Sequence, residues 1–215
     1  MPTETVQTLD RGLRLLDALA TAPNGRTVGE LAVDLEISRP VVYRLVATLE
    51  RHRLVRRDAE GLVRLGFGLL ELARDVAPHL RSLAQGPLRA LSEDVGATAH
   101  LTVVDAGEAL AVAVAEPRRT DMHVAYREGT RHALGLGAAG QAILLARRGA
   151  EPARARRWVA TAGELQPGAT GVAAPIIGVT GLEASVGVVA LGALDVDRVG
   201  PRVAEAAGQI AAAVR

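Results

Sequence analysis

The 215-residue chain has no cysteine. Disulfides, iron–sulfur clusters and thiolate zinc sites are therefore excluded, and a reducing compartment fits. Lysine is also absent, so every basic side chain except histidine is arginine. Aromatic residues make up only 2%. The core must be built from leucine, valine and alanine, and no stacking platform for single-stranded nucleic acid is available. No apolar run can span a bilayer: residues 133–146 are too few, and the uncharged run 165–182 is broken by two prolines and four glycines. The N-terminus lacks the basic-then-apolar pattern of a secretory signal. The expectation is a cytoplasmic protein with no membrane partner.

Catalytic and metal signatures are missing too. The five histidines, at 52, 79, 100, 123 and 132, show no metal-ligand spacing. His100 and His123 fall in expected strands and could line a pocket, although ordinary core or surface roles are commoner. No nucleophile elbow and no Ser/His/Asp order appears. The expectation is a protein that is not an enzyme, with no cofactor and no metal.

Hydrophobic residues make up 49% of the chain, enough for a real core, and the length suits two small domains. The net charge of +1 conceals an uneven distribution. Residues 1–37 carry three arginines and six acids, whereas residues 38–57 carry six arginines and one acid, Glu50. One concentrated basic stretch in a nearly neutral chain points to a local anionic partner.

Local signals around that stretch are strong. Val6, Leu9, Leu13, Leu16 and Ala20 recur at helical spacing, giving a helix over about residues 5–21. Pro23, Asn24 and Gly25 break it. Thr27 with Glu30 reads as a capping box opening a second helix, and a short turn at Glu36–Ile37 follows. Ser38 caps a third helix, with Pro40 in its first turn, where a missing N–H costs nothing. Val42, Leu45, Val46 and Leu49 form that helix's apolar face; Pro40, Arg44, Ala47 and Arg51 lie opposite, with Arg39 and Tyr43 beside them. Two short strands, 54–57 and 62–65, flank a turn at Asp58–Gly61. Three helices and a basic hairpin make a winged helix–turn–helix.

In that layout the third helix enters a major groove with its N-terminal residues on the bases. Those are Ser38, Arg39, Pro40, Tyr43 and Arg44. Arg56, Arg57 and Arg64 on the hairpin would meet the backbone or the minor groove, and Arg26 and Thr27 would meet phosphate. The competing reading is a merely solvated arginine face. One helix discriminates weakly, so the expected partner is double-stranded DNA bearing a pseudo-palindrome, bound by a dimer.

Residues 67–77 read as a linker helix, and Leu69, Leu70, Leu72 and Val76 could form an intersubunit seam or pack within one chain. Pro78 and Gly86-Pro87 read as interruptions before a helix at 88–95. Beyond Gly96, strands and helices mix: two strands around Asp105–Glu108, a strand over 122–126, a helix over 138–148, strands over 171–177 and 184–192, and a closing helix over 201–214. The fold class is α+β, with an N-terminal winged helix–turn–helix and a second domain whose sheet is largely antiparallel. The expected boundaries are 1–66, 67–77 and 78–215.

Residues 6–20 and 25–66, with "LSEDVGATAHLTVVDAGEALAVAVAE", "REGTRHALGLGAAGQAILLA" and "GELQPGATGVAAPI", resemble the IclR family of bacterial transcription regulators over nearly the whole chain. The resemblance implies a GAF-like effector-binding domain after the linker, and homodimers that often pair into homotetramers. It also implies operon control by a small organic effector. Matched to the family's pocket are Met122, Val124, Ala138, Ala139, Trp158 to Glu164 (including Thr161), Gly171, Val189 and Leu191. Carboxylate-binding members tend to carry an acid where this chain has Thr161, and hydroxyls where it has Val189 and Leu191. An apolar or aromatic effector is therefore expected. The chain is also shorter than its relatives between Leu145 and Trp158. That departure supports the alternative of an effector-independent regulator whose second domain only oligomerises.

The run "GLGAAG", Gly135–Gly140, fits a dinucleotide-binding pattern, but "REGTRHAL" before it reads as a turn rather than a buried parallel strand. Close helix packing and an open helix N-terminus explain those glycines better, and that free N-terminus could still receive an effector carboxylate.

Overall fold

The structure, a computed structural model, describes residues 5–74, 76–118, 126–148 and 157–215. The chain divides into two units, one ending at Val76 and the other running from Ala77 to Arg215.

In the first unit three helices, α1 (Gln7–Ala20), α2 (Val28–Asp34) and α3 (Arg39–Arg51), precede a hairpin of β1 (Val55–Arg57) and β2 (Val63–Leu65). The core is aliphatic: Leu15, Leu19, Leu31, Leu35, Val42, Leu45, Val46, Val55 and Val63. The capping box forms as expected, with the Thr27 N–H donating to Glu30 Oε2 at 2.7 Å and the Glu30 N–H donating to Thr27 Oγ1 at 3.2 Å. Ser38 occupies the N-cap of α3, and Pro40 sits in its first turn, but the serine side chain makes no capping bond. On α1 the apolar set seen in the sequence is not the buried one. Leu9 and Leu13 are exposed, and Gly12, Leu15 and Leu19 turn inward. The helix carries two apolar stripes, and periodicity alone does not say which the core will take.

Both helices of the motif end in the same device. Glu36 (φ 55°) follows α2 and Arg53 (φ 61°) follows α3, each in the left-handed region. Ile37 N–H then donates to the Ala32 carbonyl and Leu54 N–H to the Leu49 carbonyl, both closing a Schellman turn. After β2, Gly66 and Gly68 lie on the backbone of Arg53; a Cβ on Gly66 would come within 2.2 Å of the Arg53 carbonyl oxygen. The expected linker helix is a single short helix, α4 (Gly68–Ala73), on which Leu70 and Leu72 are exposed.

The second unit begins with α5 (Pro78–Val95), which corrects the expectation of a break at Gly86-Pro87: the helix runs straight through. Two physical reasons override the local signal. Gly86 has no Cβ to strike the proline ring, and burial of Ala84, Leu88 and Leu91 holds both halves on one core. The same pair recurs in α7 (Val196–Val214), which starts five residues before the expected Pro201 and passes through Gly200-Pro201 under an Asp195 cap.

Between these helices the chain forms β3 (Thr98–Asp105), β4 (Glu108–Ala115), β5 (Arg131–Ala133), α6 (Gly137–Arg147), β6 (Val159–Ala162), β7 (Ala169–Ile176) and β8 (Ala184–Leu191). The six strands make one antiparallel sheet in the order β5-β4-β3-β8-β7-β6. Side chains alternate across it. Leu101, Val172, Val186 and Val188 join the main core with α5 and α7, while Ala173 faces α6 with Ala138, Ala139 and Ala142. β5 and β6 were missed in the sequence because three- and four-residue edge strands carry too little pattern. The strand expected over 122–126 falls largely outside the described residues. No helix is long and apolar enough to cross a membrane among the described residues.

Candidate DNA-binding and small-molecule sites

The exposed side of α3 presents Arg39, Tyr43, Arg44 and Arg51, and the adjacent hairpin presents Arg56 and Arg57. The Arg57 guanidinium lies 5.9 Å from the Tyr43 ring centroid, and its Nε is 3.6 Å from Glu50. These contacts hold the wing's cation beside the helix. Ser38 and Pro40 are exposed at the start of α3. Arg39 leans back over α2, its Nη2 3.4 Å from where a Cβ on Gly29 would stand.

The other three expected contact residues have work inside the fold. Arg64 donates to Asp58 Oδ2 at 2.9 Å and to the Pro23 carbonyl at 3.1 Å, pinning the hairpin turn to the loop after α1. That bond holds the Asp58 carboxyl below the usual carboxylate range, with help from the Leu62 N–H. Arg26 pairs with Asp34 at 2.8 Å, and its backbone exchanges hydrogen bonds with Val63. The Thr27 hydroxyl belongs to the capping box.

In the second unit a small cavity, with about 60 Å³ of free space, lies between the sheet and α6. Ala138, Ala139, Thr161, Gly171 and Val189 line it together, as does Glu164. Trp158 and Leu191 stand elsewhere: the indole packs on Gly200 of α7, and Leu191 is an exposed strand end. Met122 and Val124 lie outside the described residues.

The lining is more polar than the sequence led one to expect. His100 on β3, His132 on β5 and Tyr126 bring three polar rings to the cavity wall. His100 Nδ1 is 3.1 Å from the Thr102 hydroxyl, and its ring lies 4.7 Å from that of Tyr126. Burial, then the neighbouring His132, pushes the His100 pKa down to about 3, so the ring is neutral at pH 7. Burial also raises the Tyr126 hydroxyl, partly offset by Thr102. Small residues make room for His100, since a Cβ on Gly187 would stand 2.6 Å from its Cε1. His132 was legible only as a histidine in a presumed turn; the short strand that buries it could not be read.

The "GLGAAG" run opens α6. A Cβ on Gly140 would strike the Leu134 carbonyl at 2.4 Å, so this glycine serves close packing. The segment before it contains a three-residue strand, not only a turn, but β5 pairs antiparallel to β4 and makes no parallel crossover unit. Gly137 (φ 71°) is forced to be glycine twice over, because its Cβ would also lie 2.5 Å from Leu165. Its N–H donates to Glu164 Oε2 at 2.8 Å, and Gln141 Nε2 donates to the same oxygen at 2.9 Å.

A winged helix–turn–helix unit with a basic exposed face is thus followed by an α+β unit with an antiparallel sheet and a cavity against α6. Residues 8–59 match the IclR helix-turn-helix domain. Curated relatives include the HTH-type transcriptional regulator BhcR of Paracoccus denitrificans, 29% identical over 65% of this chain and 50% of that protein. Another is the acetate operon repressor of Salmonella typhimurium, 27% identical over 66% of this chain and 53% of that protein. The chain spans about half the length of the curated relatives it matches. Among solved structures, an IclR homolog of Microbacterium hydrocarbonoxydans complexed with 4-hydroxybenzoate shares the fold with a TM-score of 0.81 at 22% identity, over 97% of this chain and 99% of that one. The IclR regulator of Alicyclobacillus acidocaldarius gives 0.78 at 21%, over 99% of this chain and 100% of that one. Residues 8–59 thus match the IclR helix-turn-helix domain, and the chain shares its fold with solved IclR regulators.

Proposed function

We propose that this protein is a sequence-specific transcriptional regulator that binds a pseudo-palindromic operator as a homodimer or tetramer and answers to a small, largely apolar or aromatic ligand. The observation that carries the DNA reading is the clustering of Arg39, Tyr43 and Arg44 on the exposed face of α3 beside Arg56 and Arg57 of the wing. Bases are read by the helix residues; the wing arginines supply salt-dependent phosphate binding. The exposed apolar side chains of Leu9, Leu13, Phe67, Leu70, Leu72 and Val76 are where a second copy would bury surface. The cavity against α6 favours a ligand-responsive regulator over one whose second unit only oligomerises, and the relative complexed with 4-hydroxybenzoate supports an aromatic ligand class.

Selection of bound fragments from genomic and random duplex DNA tests the proposal. Enrichment of an inverted repeat, with affinity falling steeply as salt rises, is expected. Absence of any duplex binding at low salt would overturn it.

A further inference from the structure

Building on the reading of this cavity as a ligand site, we infer that it selects an uncharged ligand that donates a hydrogen bond, an alcohol or phenol hydroxyl, and turns carboxylates away. The place where a carboxylate would bind is already taken by one from the chain itself.

A helix N-terminus attracts an anion because its first N–H groups lack intrahelical partners and the helix dipole adds positive potential there. At α6 the first of these N–H groups, on Gly137, and the positive end of the dipole already face a carboxylate. The Glu164 carboxylate accepts from Gly137 N–H and from the Gln141 side chain through one oxygen, Oε2. The next residue, Leu165, sits on Gly137. An incoming acid must displace this carboxylate or share the terminus with a like charge. No arginine is among the described residues that line the cavity. His100, held neutral by burial, offers no positive charge.

The opposite requirement comes from His132, which is 9% exposed. Its Nδ1 lies 3.1 Å from the Ala133 carbonyl, which can only accept, so the contact fits the tautomer with its proton on Nδ1. Nε2 is then an acceptor, and it is buried with no partner. A buried acceptor without a donor is a specificity element: a ligand hydroxyl satisfies it, and an isosteric ligand lacking the hydroxyl does not. The apolar remainder, including Ala138, Leu165 and Val189, accommodates a hydrocarbon body.

The experiment uses the full chain and two probes of similar shape, phenol and benzoate. It combines calorimetric titration with ¹⁵N NMR observation of the Gly137 amide. Phenol is expected to bind saturably and at least about tenfold more tightly than benzoate. Glu164→Gln removes the charge from a solvent-exposed side chain with little risk to folding. It should narrow the gap to about threefold, chiefly by tightening benzoate, and benzoate should then shift the Gly137 amide as it does not in the unaltered protein. His132→Phe, with its fold checked by circular dichroism, should weaken phenol at least about fivefold. Tighter benzoate than phenol in the unaltered protein, or an unchanged preference in Glu164→Gln, would overturn the inference while leaving the ligand site intact. Failure of both probes to bind either protein would overturn the ligand-site reading as well.

Discussion

The indole of Trp158 rests so closely on Gly200 that a Cβ at residue 200 would stand 2.1 Å from ring atom Cε2. The strand side of the second unit thus meets α7 at a point where only a glycine fits, one residue before a proline inside the helix. Gly200→Ala must push the indole or the helix aside. It should destabilise the protein by about 1–3 kcal/mol, measured by urea unfolding. Trp158, the only tryptophan, supplies the fluorescence signal. An unchanged midpoint would mean that the indole is not seated there.

Glu36 and Arg53 hold left-handed backbone without being glycine. Glu36→Gly should therefore stabilise the first unit by about 0.5–1 kcal/mol, seen as a higher thermal midpoint. A lower midpoint would show that the Glu36 side chain stabilises the turn by more than its backbone strain costs.

The helix and wing arginines should fail differently. Arg44→Ala is expected to cost about 1–3 kcal/mol on a selected operator and to relax discrimination against base changes. Arg56→Ala should weaken all duplexes alike and lower the salt slope by about one. Arg64→Ala should instead lower the stability of the first unit, because its guanidinium ties Asp58 to Pro23. Anisotropy titrations across several salt concentrations separate the three. Equal losses on random and selected DNA for both Arg44→Ala and Arg56→Ala would contradict the assignment.

Acid should destabilise the second unit through His100. Its folded pKa of about 3 lies far below the usual histidine value. Between about pH 6.5 and 3 the unfolded chain takes a proton that the folded one refuses, so stability falls as pH falls through that window. The loss between pH 6.5 and 4.5 should be about 2 kcal/mol. His100→Gln should flatten that part of the curve. In the first unit the lowered Asp58 carboxyl works at more acid pH: its stabilising effect is present above about pH 4 and is lost below. Parallel pH profiles for the unaltered protein and His100→Gln would reject the role given to the ring.

The limits of α2 and α3, the wing and the basic face follow from the chain alone, because their determinants are local: a capping box at Thr27 and Glu30, a proline in a first turn, a four-residue hairpin turn, and apolar spacing over a dozen residues. Close packing of Gly140 was legible for the same reason. Local signals misled where burial outweighs them, as at Gly86-Pro87 and Gly200-Pro201, where a shared core holds a helix together through a proline. The cavity belongs to the tertiary structure. Pairing of β4 with both β3 and β5 carries His100 and His132 to one wall, and the loop before β7 lays Glu164 across the start of α6. Which polar groups end up buried without a partner depends on contacts between segments far apart in sequence, and no local pattern encodes that.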